Sequence, residues 1–204
     1  MIQKTVRSPL PQVLTPQEMQ AVLMAADAFR RAPKPDLRHF MLVRLLLSTG
    51  IKKIECLNLH PNHIHLDAAD GPYLFVRYAS PAHRFKERKI PLPADWVEAY
   101  PEYARRYNLD RQVFPWSPRR LEYLLEDLSN AAGLEKHLSF SMCRWTCALN
   151  DWLSGMEAEK IRQKLGVSKI QWRELSQKLM RLAAQHDETM HAASGEDAPA
   201  ADTP

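Results

Sequence analysis

A single arginine set into an apolar helix constrains this chain more than any other feature. The stretch from Leu138 to Gly166 reads LSFSMCRWTCALNDWLSGMEAEKIRQKLG. Met142, Trp145, Ala148, Leu149 and Trp152 recur at helical spacing, Ser139 or Ser141 can cap the start, and Gly155 can end the helix. Arg144 sits beside the apolar face. Its guanidinium stays charged, and an unpaired buried charge costs several kcal/mol, so it must find an anion or a carboxylate. Taken alone, the stretch favours a buried ion pair with Asp or Glu. After the Gly turn, a short helix from Glu157 to Lys164 leads into Leu165-Gly166-Val167. From Ser168 a last amphipathic helix carries Ile170, Trp172, Leu175, Leu179 and Leu182.

Upstream, Thr15-Pro16-Gln17-Glu18 is a helix start: a Thr N-cap, Pro at the first helical position and Glu closing a capping box. That helix runs to about Arg31 before Pro33 and Pro35 break it. Asp36 opens a second one, in which Leu37, Phe40, Met41, Val43, Leu45 and Leu46 form a broad buried face, and Gly50 caps its end. Ile64–Asp67, Pro72–Ala79 and Arg88–Leu92 read as a small three-stranded antiparallel sheet. Asp95 to Tyr107 reads as a helix that Pro101 bends or splits, and Ser117 to Ala132 as another. Tyr100, Tyr103 and Tyr107 alternate with Arg105 and Arg106, a spacing that favours a core stripe over a base-stacking platform. The expected fold is mostly α with one small sheet. It occupies residues 14–185, between an extended arm (1–13, with Lys4 and Arg7) and a disordered acidic tail (186–204).

At 204 residues and 45% hydrophobic, the chain can bury one good core. Its formal charge of +4 understates how basic that body is, because residues 187–204 hold five acids and no Lys or Arg. Setting those five aside leaves 19 of the 24 acidic side chains against all 28 basic ones, a balance that favours a polyanionic partner. No run of about eighteen apolar residues and no leader pattern occurs, so no membrane span is expected and the chain reads as cytoplasmic. Cys56, Cys143 and Cys147 read as reduced core thiols. His60, His63 and His65 lack the partners of a zinc site, so neither metal nor cofactor is expected.

Arg-x-Thr on an apolar helix, a Gly turn, a short helix and then Leu-Gly together resemble the tyrosine recombinases, or phage integrases. Arg144, Thr146, Ala148, Gly155 and Leu165-Gly166 match that pattern. Two further stretches extend it. Thr49, Gly50 and Glu55 match the family's Thr-Gly-Leu-Arg-x-x-Glu motif, and Lys86-Glu87-Arg88-Lys89-Ile90-Pro91-Leu92 repeats its Lys-Glu-Arg-x-x-Pro-Leu strand. The resemblance covers roughly residues 13 to 183 and implies a recombinase catalytic-domain fold. With so few residues ahead of Thr15, the family's usual clamp domain is not expected, and the resemblance is to members such as the fimbrial phase-switch recombinases that consist of little more than the catalytic domain.

At the reactive positions the chain departs from the family. Lys52 stands where the first catalytic Arg belongs, which keeps the charge but loses the two-pronged fork. The catalytic Lys falls in the triplet Ala82-His83-Arg84, the first His on Ser141, the second His or Trp on Val167, and the nucleophilic Tyr on Ser176. Only Arg144 is retained in kind, and every Tyr in the chain precedes it. The resemblance therefore implies a protein that binds duplex DNA but no longer cuts it, an accessory or regulatory factor in recombination or integration. The expected contacts are Lys52, His83, Arg84, Lys86, Arg88, Lys89, Arg119, Arg120 and Arg144, gathered on one positive face. The alternatives are a strand-transferase using Ser176 or a partner's residue, and a subunit pairing with itself or an active recombinase through Ser168 to Leu182.

Overall fold

The computed structural model describes residues 9–195, with side chains described for 9–188. Helix α1 (Pro16–Arg31) begins with the capping box read from its sequence: the Glu18 N–H donates to Thr15 Oγ1 at 3.2 Å and the Thr15 N–H to Glu18 Oε2 at 2.7 Å. Helix α2 (Leu37–Thr49) is capped by Asp36, whose Oδ1 accepts from the Arg38 N–H at 3.0 Å. Ten of its 13 residues are buried, so it is enclosed rather than amphipathic. Its neighbours are α1, α4 (Ala94–Arg106), α5 (Pro118–Ala131) and α6 (Phe140–Leu153). Each large aliphatic side chain it buries is worth roughly 1.5–3 kcal/mol, which makes α2 the energetic centre of the body.

A short helix, α3 (Lys53–Leu57), leads to the sheet: β1 (Ile64–His65), β2 (Tyr73–Val76) and β3 (Arg88–Pro91), antiparallel in the order β1-β2-β3. Leu74 pairs with Ile90 and Val76 with Arg88. Because strand side chains alternate faces, Arg88 points to the same side as Ile90, into the protein. Helix α4 runs through Pro101 without the break that the sequence suggests. Pro101 lies on the exposed side, while Trp96 and Tyr103 anchor the other, with Trp96 Nε1 donating to the Met41 carbonyl and the Tyr103 hydroxyl to that of Val113. Tyr100 and Tyr103 are core residues, and the Tyr107 hydroxyl donates to Asp36, as the core-stripe reading requires.

A second cluster closes the C-terminal side. Ala148 and Leu149 of α6, Ile161 and Leu165 of α7 (Ala158–Leu165), and Leu179, Leu182 and Ala183 of α8 (Lys169–Gly195) pack together. Of the apolar stripe of α8, Leu179 and Leu182 are buried on its own body and Trp172 and Leu175 are partly covered there, while Ile170 stays exposed. Leu10 and Val13 pack against this cluster, and the buried Leu14 N–H donates to Thr146 Oγ1, so the described part of the expected arm lies down on the domain. Lys4 and Arg7 fall outside the described residues. Where the sequence suggests an irregular tail from residue 186, α8 continues to Gly195; Ala192 and Ala193 favour helix, and no proline falls between Pro118 and Pro199. Among the described residues no helix is long and apolar enough to cross a membrane.

Candidate nucleic-acid interface

The ends of α2 and α7 meet α6 around two left-handed glycines. Gly50 closes α2 at φ 60°, and a Cβ there would meet Leu165 Cδ2 at 3.0 Å and Cys147 Sγ at 3.2 Å. Gly166 closes α7 at φ 59°, and a Cβ there would come within 2.5 Å of Arg88 Nη1. Both positions favour glycine for backbone conformation, and at Gly166 the approach of Arg88 adds a demand for space.

Arg88 lies across Gly166 and ends in a buried ion pair. It donates from Nη1 to Glu55 Oε1 at 3.0 Å and from Nη2 to Oε2 at 2.8 Å, with the two side chains 8% and 1% exposed. Its Nε donates to the Lys164 carbonyl at 2.6 Å. Glu55 also accepts from the Tyr78 hydroxyl and, at 2.8 Å, from the Lys52 N–H. Burial works to raise the Glu55 pKa, but the Arg88 bonds and charge, with Tyr78 and the Lys52 N–H, outweigh it and hold the carboxyl below its usual range. Tyr78 is pushed up to about 12 by burial and then by Glu55. Arg88, expected on the DNA-facing surface, is thus a correction. Its strand parity turns it inward, and Glu55 neutralises its charge.

The buried carboxylate is taken by Arg88, so Arg144 is not the internal ion pair that its helix alone suggests. Its guanidinium donates from Nη1 to the Gly50 carbonyl and from Nη2 to the Leu165 carbonyl at 2.7 Å. These are C-terminal groups of α2 and α7, where helix dipoles concentrate partial negative charge. No carboxylate pairs with Arg144 among the described residues. Burial pulls its pKa down to about 10 against the opposing charge of Glu55, and it remains charged at neutral pH.

Lys52, at the N-cap of α3, is half-buried and has no carboxylate within ion-pair distance among the described residues. Its pKa is lowered by burial first, then by Arg144, with Lys86 and Arg88 adding to the effect and Glu55 opposing it. The structure therefore brings Lys52, Lys86 and Arg144 together around the Arg88–Glu55 pair. His83 and Arg84 are exposed on the β2–β3 connection, which folds into a 3-10 turn over Pro81–Lys86, and Lys89 is exposed on β3. The His83 ring meets the Tyr78 ring edge-on at 5.8 Å, and Lys89 Nζ lies 4.6 Å from the Tyr73 ring centre. Arg119 and Arg120 stand exposed on the first turn of α5, and Arg119 Nε donates to the Tyr123 hydroxyl at 2.7 Å. Arg119 shares an open groove with Lys53, His137 and Ser141.

Three positions that the resemblance aligns with the family's two His and its Tyr carry Ser141, Val167 and Ser176 here. Ser141 is an exposed hydroxyl in that groove. Val167 is buried, and its carbonyl accepts from Arg162 Nη1 at 2.8 Å. The Ser176 hydroxyl donates back to the Arg173 carbonyl of its own helix at 3.2 Å. Cys56, Cys143 and Cys147 are free, buried thiols; burial raises all three, Cys143 to about 12 and Cys147 to about 11. Among the described residues no group of three or more His, Cys, Asp or Glu side chains could hold a metal ion.

Sequence reading missed the Glu55–Arg88–Tyr78 network. Strand parity was the available signal: Arg88 is two residues from the buried Ile90, so a carboxylate had to wait for it inside. It also missed Lys53 and His137, which line the groove beside Arg119 and come from elements far apart in sequence.

No protein-family model matches the chain, and no curated relative matches it. Solved structures do. XerA recombinase superposes with a TM-score of 0.68 at 22% identity, over 91% of this chain and 66% of that one. XerH site-specific recombinase, in a post-cleavage complex with a palindromic difH substrate, gives 0.74 at 20% identity, over 96% and 56%. A lambda integrase tetramer bound to a Holliday junction gives 0.56 at 17% identity, over 82% and 48%. The chain thus spans between about half and two thirds of the length of these proteins. Its eight helices and β1-β2-β3 sheet, among the described residues, have the fold of a tyrosine recombinase catalytic domain.

Proposed function

We propose that this protein binds duplex DNA on the face around Lys52 and Arg144, and that it does not cut the DNA it holds. It acts as an accessory or regulatory factor in recombination or integration. The observation that carries the reading is a set of cations with no carboxylate partner among the described residues, Lys52, Arg84, Lys86, Lys89 and Arg144, on a scaffold whose structural neighbours include DNA complexes. A polyanion satisfies such a set; the internal alternative, a carboxylate, is already used by Arg88. Arg119 and Arg120 extend the positive surface onto α5.

Strand cleavage needs an in-line nucleophile, cations on the nonbridging oxygens and an acid for the leaving oxygen. Among the described residues Ser176 has no acid–base partner, and its hydroxyl lies 3.2 Å from the Arg173 carbonyl of its own helix. Removing one electrostatic group from such a site typically costs about 10²–10³ in rate. Here Ser141, Val167 and Ser176 replace three participating groups. A second reading, pairing with itself or with an active recombinase, draws on Ile170 and Met180, which stay 79% and 50% exposed on α8.

Fluorescence anisotropy of a labelled duplex tests the DNA reading. With about five phosphates neutralised, the slope of log affinity against log salt is about −4 to −5, an affinity loss of about 10²–10³-fold between about 50 and 200 mM salt. Binding that ignores salt, or no binding in dilute buffer, would remove the DNA reading and leave the pairing one.

A further inference from the structure

Phe85 is the one large apolar side chain exposed among the cations of the β2–β3 connection, at 71% exposure. Nothing in its own turn covers it, since no residue of Pro81–Lys86 is buried. Its surroundings are basic: Arg84 precedes it, Lys86 Nζ lies 5.2 Å from its ring centre, and Lys89 follows on the outward face of β3. Glu87, the only acid in the stretch from Pro81 to Lys89, is turned inward, where Oε1 accepts from the Tyr78 N–H at 3.1 Å.

The base of this projection is held firmly. The Glu87 N–H donates to the Arg84 carbonyl at 2.9 Å and the His83 N–H to that of Ser80 at 3.0 Å, while Arg88 is locked to Glu55 and to the Lys164 carbonyl. An aromatic ring on a pre-ordered, cation-flanked tip combines two things a duplex offers together: phosphates on the outside and apolar base faces within. A protein groove for the same ring would need a matching acidic rim.

We propose that Phe85 is a wedge that enters a base step of the bound duplex, unstacks it and bends the DNA, with Arg84, Lys86 and Lys89 holding the flanking phosphates. The proposal rests on the DNA-binding reading above. Apolar side chains inserted this way kink duplexes by roughly 20–90°. A protein without cleavage chemistry would then shape DNA rather than break it.

The test uses the full chain and short duplexes carrying 2-aminopurine at successive positions, with binding followed by anisotropy and unstacking by 2-aminopurine fluorescence. The wild type is expected to brighten one step or two adjacent ones on binding. Phe85→Ala is expected to weaken binding by about tenfold, within the range for losing one aromatic–base stack, and to abolish the brightening even when protein is added to saturation. Phe85→Trp should retain it. Binding without brightening at any position, or brightening that survives in Phe85→Ala, would overturn the wedge alone. No anisotropy change in dilute buffer would overturn the DNA reading and the wedge with it.

Discussion

Replacing Glu55 with Ala is expected to destabilise the protein by about 3–5 kcal/mol, because it strands the buried Arg88 charge. The structure supplies the reason for so large a figure. The pair is 1% and 8% exposed, it forms two hydrogen bonds at 3.0 and 2.8 Å, and the same carboxylate satisfies Tyr78 and the Lys52 N–H. Against a total stability of about 5–15 kcal/mol, such a loss is a large part of the whole. Urea denaturation followed by tryptophan fluorescence should show the midpoint falling by about 2 M for an m-value near about 2 kcal/mol/M. Glu55→Leu combined with Arg88→Met should recover most of it, since removing both charges leaves neither unpaired. A loss below about 1 kcal/mol for Glu55→Ala, the value of an exposed pair, would refute the claim that this ion pair is buried and indispensable. The pH dependence has a definite sign. The fold lowers the Glu55 pKa, so its contribution is fully present above the usual carboxylate value of about 4.3 and is lost as pH falls through the folded value.

Gly166→Ala should destabilise by more than the roughly 1 kcal/mol of an ordinary left-handed glycine, because its Cβ would lie 2.5 Å from Arg88 Nη1; thermal melting measures this. Arg144→Ala should cost about 1–3 kcal/mol by leaving the Gly50 and Leu165 carbonyls without their donor, and should also make the salt slope of DNA binding shallower by about 1. Equal salt slopes would place Arg144 in a purely structural role. Leu179→Ala should cost about 2–5 kcal/mol at any protein concentration, because α8 packs on its own body; a concentration-dependent effect would point to packing between chains.

Local signals carried most of the fold into the sequence. Thr15 is read as a cap from its own neighbourhood and Ser139 as one of two candidates with Ser141, and each accepts the N–H that its position implies; Asp36 and Ser117, read as the first residues of helices, do the same. Alternation placed the three strands to within a few residues. The site was legible only in part, because its geometry is made of long-range pairings. That Arg144 would be held by the carbonyls of Gly50 and Leu165, 94 and 21 residues away, has no signature in side-chain chemistry, since main-chain acceptors are present everywhere. Arg88 was misplaced because its basic neighbours Lys86 and Lys89 suggested a surface patch, while strand parity, the stronger constraint, turned it inward. The continuation of α8 to Gly195 was obscured by acidic, small-residue composition, although several of those residues favour helix.

The central claim, DNA held but not cut, is tested most directly by one saturated complex run on two gels. The protein is mixed at low salt with a nicked duplex designed to trap any covalent protein–DNA link, and the sample is split between native and denaturing electrophoresis. The expected result is a full shift on the native gel and free DNA alone on the denaturing one. A protein–DNA species that survives denaturation, or no shift on the native gel, would contradict the account.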